Sequence, residues 1–147
     1  MSDLNIDDFY TDVALTLDLL YRSFPRPRII YVSDISGADK PDEYGVHSDR
    51  HMACFSTFLW LASENYIRFE DCIHQDAVDQ AVLTASCFNL LSTPVVDTST
   101  PIDQNLAVSV KTELSLNINR IRRALKVRSS IEIRNIMAEL LAIMAET

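Results

Sequence analysis

Apolar positions along the chain recur in two rhythms. Between residues 6 and 24, Ile6, Phe9, Tyr10, Val13, Leu17, Leu20, Tyr21 and Phe24 step by three and four, the spacing of a helix with one face toward a core. Asn5 is placed to cap it, Asp7 and Asp8 suit the positive end of its dipole, and Pro25 and Pro27 stop it. Residues 28–32 are β-branched and aromatic and predict a short strand. Residues 33–48 hold Ser36-Gly37, Lys40-Pro41 and Tyr44-Gly45 among acids, a loop with room for one helical turn. Ser48 or Asp49 then opens a helix over about 49–65 that is apolar nearly all the way round, so it is predicted to be largely buried. Residues 66–71 alternate like a strand, 72–78 read as a loop and 79–83 as the returning strand of a hairpin. Thr84 caps a short helix, 85–91.

A Ser/Thr/Pro-rich connector, 93–105, separates this part from the rest. Beyond it, Ala107, Val110, Leu114, Ile118, Ile121 and Leu125 predict one amphipathic helix. Ser129-Ser-Ile-Glu132 has the form of a capping box and opens a last helix with the stripe Ile133, Ile136, Met137, Leu140, Leu141 and Met144. The expected fold class is mainly α (α+β). A body over 1–92 with a small β-hairpin wing is followed by a C-terminal hairpin, 106–147, of two amphipathic helices. Their stripes are expected to bury on the body or on a second copy, which predicts a homodimer or a larger assembly.

The order helix, short strand, buried helix, β-hairpin, helix resembles a winged-helix domain. The segment Leu61-Ala-Ser-Glu-Asn-Tyr-Ile67 is similar to the end of a winged-helix third helix. The segment Ala81-Val-Leu-Thr-Ala-Ser-Cys-Phe-Asn-Leu-Leu91 resembles the step that follows the wing in MarR- and PadR-like proteins, with Cys87 where that step usually has Gly. The resemblance covers residues 6–92 and implies a DNA-binding transcriptional regulator or, as in acidic winged helices of chromosome-condensing complexes, a subunit adaptor.

Charge changes the weight of these alternatives. The chain carries a net −8, but residues 1–105 hold 6 Lys/Arg against 17 Asp/Glu, whereas residues 106–147 hold 7 against 4. The predicted wing, from Glu70 to Asp79, has four acids and no cation, and the helix that would read a major groove has one, Arg50. A phosphate backbone repels such a surface. The reading is therefore an interaction, adaptor or dimerisation module without enzymatic activity, with a nucleic-acid partner disfavoured by charge. The residues marked for a protein or nucleic-acid partner are the cations Arg120, Arg122, Arg123, Lys126 and Arg128, and the stiff corner Pro25-Arg26-Pro27-Arg28. The tail cations are expected to meet carboxylates of the acidic body or of a second subunit.

Other chemistry is sparse. With two glycines the chain has no phosphate-binding loop, dinucleotide fingerprint or nucleophile elbow, so no cofactor is expected. Three cysteines read as free thiols. No apolar run approaches the ~20 residues of a membrane span, and the acidic start lacks the basic region of a signal peptide, so a cytoplasmic location is expected. His47-x-x-x-His51-x-x-Cys54 has ligand-like spacing, with Cys72, His74 or Cys87 as a fourth donor. His47 precedes the helix cap, however, and the expectation is no metal, with His51 in contact with solvent and Cys54 in the core. Phe55, Phe58 and Trp60, at helical spacing, are expected to be core aromatics.

Overall fold

The first amphipathic pattern folds as α1 (Leu4–Ser23) and lies across every other layer of the molecule. A computed structural model describes residues 3–95 and 107–146. Along the chain, α1 is followed by β1 (Arg28–Tyr31), α2 (Val32–Ser36), α3 (Asp49–Ser63), β2 (Ile67–Arg68), β3 (Asp71–Ile73), β4 (Ala77–Leu83), α4 (Ala85–Leu91), α5 (Val108–Ser115), α6 (Asn117–Val127) and α7 (Ser130–Ala145). The chain is thus mainly helical with a small antiparallel sheet, the α+β class that its periodicities predict.

Strand β4 is the centre of the sheet. Strand β1 pairs along one side, with Ile30 opposite Val78, and β2 and β3 share the other, with Ile67 opposite Leu83 and Cys72 opposite Val78. The strand expected over 66–71 is split. Opposite the split, Gln80 takes φ 58° and its N–H bonds the Asp79 carboxylate, so β4 kinks and its partner divides into β2 and β3.

Local chemistry sets most helix starts. Ser48 Oγ accepts from the His51 N–H at 3.2 Å, Thr84 Oγ1 from the Cys87 N–H at 3.3 Å and Ser129 Oγ from the Glu132 N–H at 3.3 Å, each satisfying an orphan donor of the first turn. Helix α1 differs from expectation. Asp3 occupies its cap position and Asn5 lies inside the helix.

The helix expected over 107–125 is two helices. Leu116 adopts an extended conformation (ψ 139°) because residues 93–95 cross there. The Val95 N–H bonds the Ser115 carbonyl and the Asn117 N–H bonds the Thr93 carbonyl. The buried Asn117 side chain donates to the Leu90 carbonyl at 2.8 Å and accepts from Arg120 at 2.8 Å. Helix α5 is consequently without a buried residue, and the apolar stripe survives only in α6.

One core runs through the described residues. Val13, Leu17 and Leu20 of α1 join Phe58 and Leu61 of α3, Ile30 and Val78 of the sheet, Ile118 and Ile121 of α6, and Met137 and Leu140 of α7. Helices α6 and α7 pack on α1 and α4. Their stripes are therefore used within the chain and are not held free for a second copy.

Candidate functional site

An open, largely apolar surface lies between α1 and α3. Trp60, expected in the core, is 36% exposed. Phe9 meets it edge-on at 5.1 Å and Tyr66 stacks on it at 5.6 Å, so the indole is held in one orientation. It lines an open groove of about 310 Å³ together with Asn5, Ile6, Phe9, Ala53, Ser56 and Thr57. Leu59 is exposed one helical step from Ser56, and Leu4 and Ile6 are exposed at the start of α1. The α3 helix is therefore not buried all round: Ala53, Ser56, Leu59, Trp60 and Ser63 face solvent, with exposed Asp49 on the first turn of the same side.

A buried ion pair underlies this groove. Asp12, 1% exposed, accepts from both terminal nitrogens of Arg50 at 2.7 and 2.6 Å. Burial pushes its carboxyl above the usual range although Arg50 pulls it down. Arg50, the single cation of α3, is thus committed to α1, with Asp8 a further 3.5 Å contact.

The tail cations fall into two groups. Arg122 bonds Asp18 of α1 at 2.7 Å and lies over the Tyr21 ring, which ties α6 to the body. Arg120 is buried and bonds Glu139 of α7 at 2.7 Å. Arg123 donates to the Leu114 carbonyl. Lys126 and Arg128 are exposed at the end of α6, where Arg128 takes φ 54°. Far from them in sequence, exposed Arg26 and half-buried Arg28 line an open concavity of about 550 Å³ at the proline corner, shared with Arg22; Arg28 Nε donates to the Ile29 carbonyl at 3.2 Å.

The structure brings His47 and His51 together and leaves Cys54 out. The imidazoles stack at 3.7 Å, nearly parallel. Their third neighbour is Asp39, from the loop after α2, whose Oδ2 lies 2.9 Å from His47 Nδ1 and 3.9 Å from His51 Nδ1. Ser48 anchors this carboxylate through its hydroxyl at 2.5 Å and its N–H at 3.2 Å. The Ser48 bond, then His47, draws the Asp39 carboxyl down to about 2. His51 is 4% exposed, against the expectation of solvent contact, because the β3–β4 turn covers it: His51 Nε2 lies 2.7 Å from the Gln75 carbonyl. His47 Nε2 lies 2.9 Å from Asp76 of the same turn. Cys54 is buried in the core near Asp12, where burial raises its thiol to about 12. Cys87 is likewise buried, Cys72 is exposed and no disulfide joins them.

No protein family, curated protein or solved structure matches the chain.

Geometry alone therefore assigns roles. Sequence spacing pointed at His47 and His51 but missed Asp39 and Asp76. Each carries an ordinary loop context, and only the fold of residues 37–48 and of the β3–β4 turn brings them to the histidines. The exposed aromatic was also missed, since an apolar helix gives no sign of which side a 147-residue chain leaves uncovered. No helix among the described residues is long and apolar enough to cross a membrane.

Proposed function

We propose that this chain is a protein-interaction module, built on a winged-helix type of body, that pairs with a second copy of itself through the α1–α3 face. The winged-helix reading is supported by the order α1, β1, α2, α3 and then a β-hairpin, and by a sheet in which β4 lies between β1 and β2.

One observation carries the interaction reading: an oriented, part-exposed tryptophan beside the exposed, uncharged Ala53, Ser56 and Leu59. Tryptophan is the residue type that binding hot spots favour, and its fixed orientation reduces the entropy lost on contact. The occupant follows from charge. Each copy carries a net −8, so like copies repel over most of their surface. The groove between α1 and α3 is lined by Ile6, Phe9, Ala53 and Trp60 with the uncharged polar Asn5, Ser56 and Thr57, and Asp12 beneath is neutralised by Arg50. Two copies that meet there bury this lining, and a two-fold axis sets Trp60 of one copy against the groove of the other. A nucleic-acid reading gains nothing from this face, because Arg50 is engaged and the exposed α3 residues offer phosphate no cation.

Light scattering on a size-exclusion column tests this. The natural chain is expected to elute as a dimer at tens of micromolar, and Leu59→Glu, which adds charge at an exposed position, as a folded monomer. A natural chain that is monomeric throughout, or a Leu59→Glu variant that dimerises as before, overturns the proposal.

A further inference from the structure

We propose that Asp39, His47 and His51 form a binding site for a divalent transition-metal ion of the zinc type. The starting observation is an orphaned buried atom. His51 Nδ1 is enclosed and has no hydrogen-bond partner among the described residues. Its other nitrogen lies 2.7 Å from a backbone carbonyl, which only accepts, so Nε2 is the donor to it and Nδ1 is the ring nitrogen left to offer a lone pair. That lone pair faces Asp39 Oδ2 across 3.9 Å, too far for a hydrogen bond. Two electron-rich atoms confronting each other inside a protein are unfavourable unless a positive charge, a proton or a metal ion, joins them.

The surroundings are those of a metal site. The three donor atoms, one from each residue, lie within 4.8 Å of one another. Bond lengths of about 2.0–2.1 Å place tetrahedral N and O donors roughly 3.3 Å apart, a value bracketed by the 2.9 and 3.9 Å separations from Asp39 Oδ2 to the two Nδ1 atoms. To bind, the two imidazoles, stacked at 3.7 Å and nearly parallel, turn so that their Nδ1 atoms converge on the ion, and His47 Nδ1 exchanges its Asp39 contact for the metal. The outer contacts are already made: His51 Nε2 donates to the Gln75 carbonyl, His47 Nε2 meets the Asp76 carboxylate, and Ser48 holds Asp39. Such partners fix the ring orientation of metal-bound imidazoles. Two imidazoles and one carboxylate suit zinc, with a fourth position left for water from the solvent side of His47. Bound there, the ion joins the loop after α2, the first turn of α3 and the β3–β4 turn.

The test uses chelator-treated full chain titrated with Zn²⁺ by calorimetry and with Co²⁺ by visible absorption. One ion is expected to bind per chain, Co²⁺ is expected to give the intense bands of a four-coordinate site, and Zn²⁺ is expected to raise the melting temperature. His47→Ala and Asp39→Asn, which remove donors without opening the core, are expected to weaken binding by at least about tenfold. His74→Ala, which removes the remaining histidine, is expected to leave it unchanged. Circular dichroism confirms that each variant is folded. Absence of saturable Zn²⁺ uptake, or uptake that depends on His74 and is indifferent to His47 and Asp39, overturns the proposal. These outcomes are independent of dimerisation.

Discussion

Asp12 and Arg50 show how one pair of residues joins two helices. They are 38 positions apart, and no spacing rule links them; the pair exists because the apolar faces of α1 and α3 pack together and leave these two groups opposed. Replacing Arg50 by Ala strands a carboxylate that is 1% exposed. We expect a loss of about 3 kcal/mol at neutral pH, the low end for a broken buried pair because Arg50 itself is partly exposed. The pH dependence has a definite sign. Burial already raises the Asp12 carboxyl above its unfolded value of 3.8, and losing Arg50 removes the largest influence that lowers it. A native state that holds its proton more tightly than the unfolded chain gains stability as pH falls, and loses it as pH rises through the native value. Urea melts of Arg50→Ala should therefore show the deficit shrinking on acidification; a deficit that grows toward acid would contradict the assignment.

Elements were legible in the sequence where their determinants are local. Ser48, Thr84 and Ser129 lie within three residues of the N–H groups they satisfy, and all three act at the helix starts marked by the sequence. The break between α5 and α6 was not legible because its cause lies elsewhere, in the crossing of residues 93–95 and in the Leu90 carbonyl that receives Asn117. Asn117→Ala removes both of that side chain's bonds from a buried position and is expected to cost about 1–3 kcal/mol. The two sides of α3 offer a second check. Phe58 is fully buried, so Phe58→Ala should cost about 3–5 kcal/mol. Trp60→Ala should cost less than half as much, since part of the indole already meets water and its removal leaves little enclosed void. Chemical denaturation of the two variants side by side measures the difference; equal losses would place Trp60 in the core after all.

At the scale of the molecule, the charge asymmetry seen in the sequence has a structural counterpart, with Arg122 of the basic C-terminal part bound to Asp18 of the acidic N-terminal part. The metal-type constellation was half legible, since the histidines share one turn of sequence whereas Asp39 and Asp76 arrive from separate loops. The shared core of α1, α3, the sheet, α6 and α7 predicts one cooperative unfolding transition. Urea curves followed by tryptophan emission, which reports α3, and by far-ultraviolet circular dichroism, which reports all helices, should coincide; separated midpoints would mean that α6 and α7 are not integral to the fold.

If the α1–α3 face closes on a second copy, the contact includes Trp60, the single tryptophan of the chain. Its emission over a dilution series from tens of micromolar to nanomolar reads the contact directly. A blue-shifted spectrum is expected at high concentration, moving to the red as the dimer dissociates, and a red, concentration-independent spectrum for Leu59→Glu. A natural chain that dimerises by light scattering while its tryptophan spectrum stays constant, identical to that of Leu59→Glu, would place the interface elsewhere and overturn the proposed pairing.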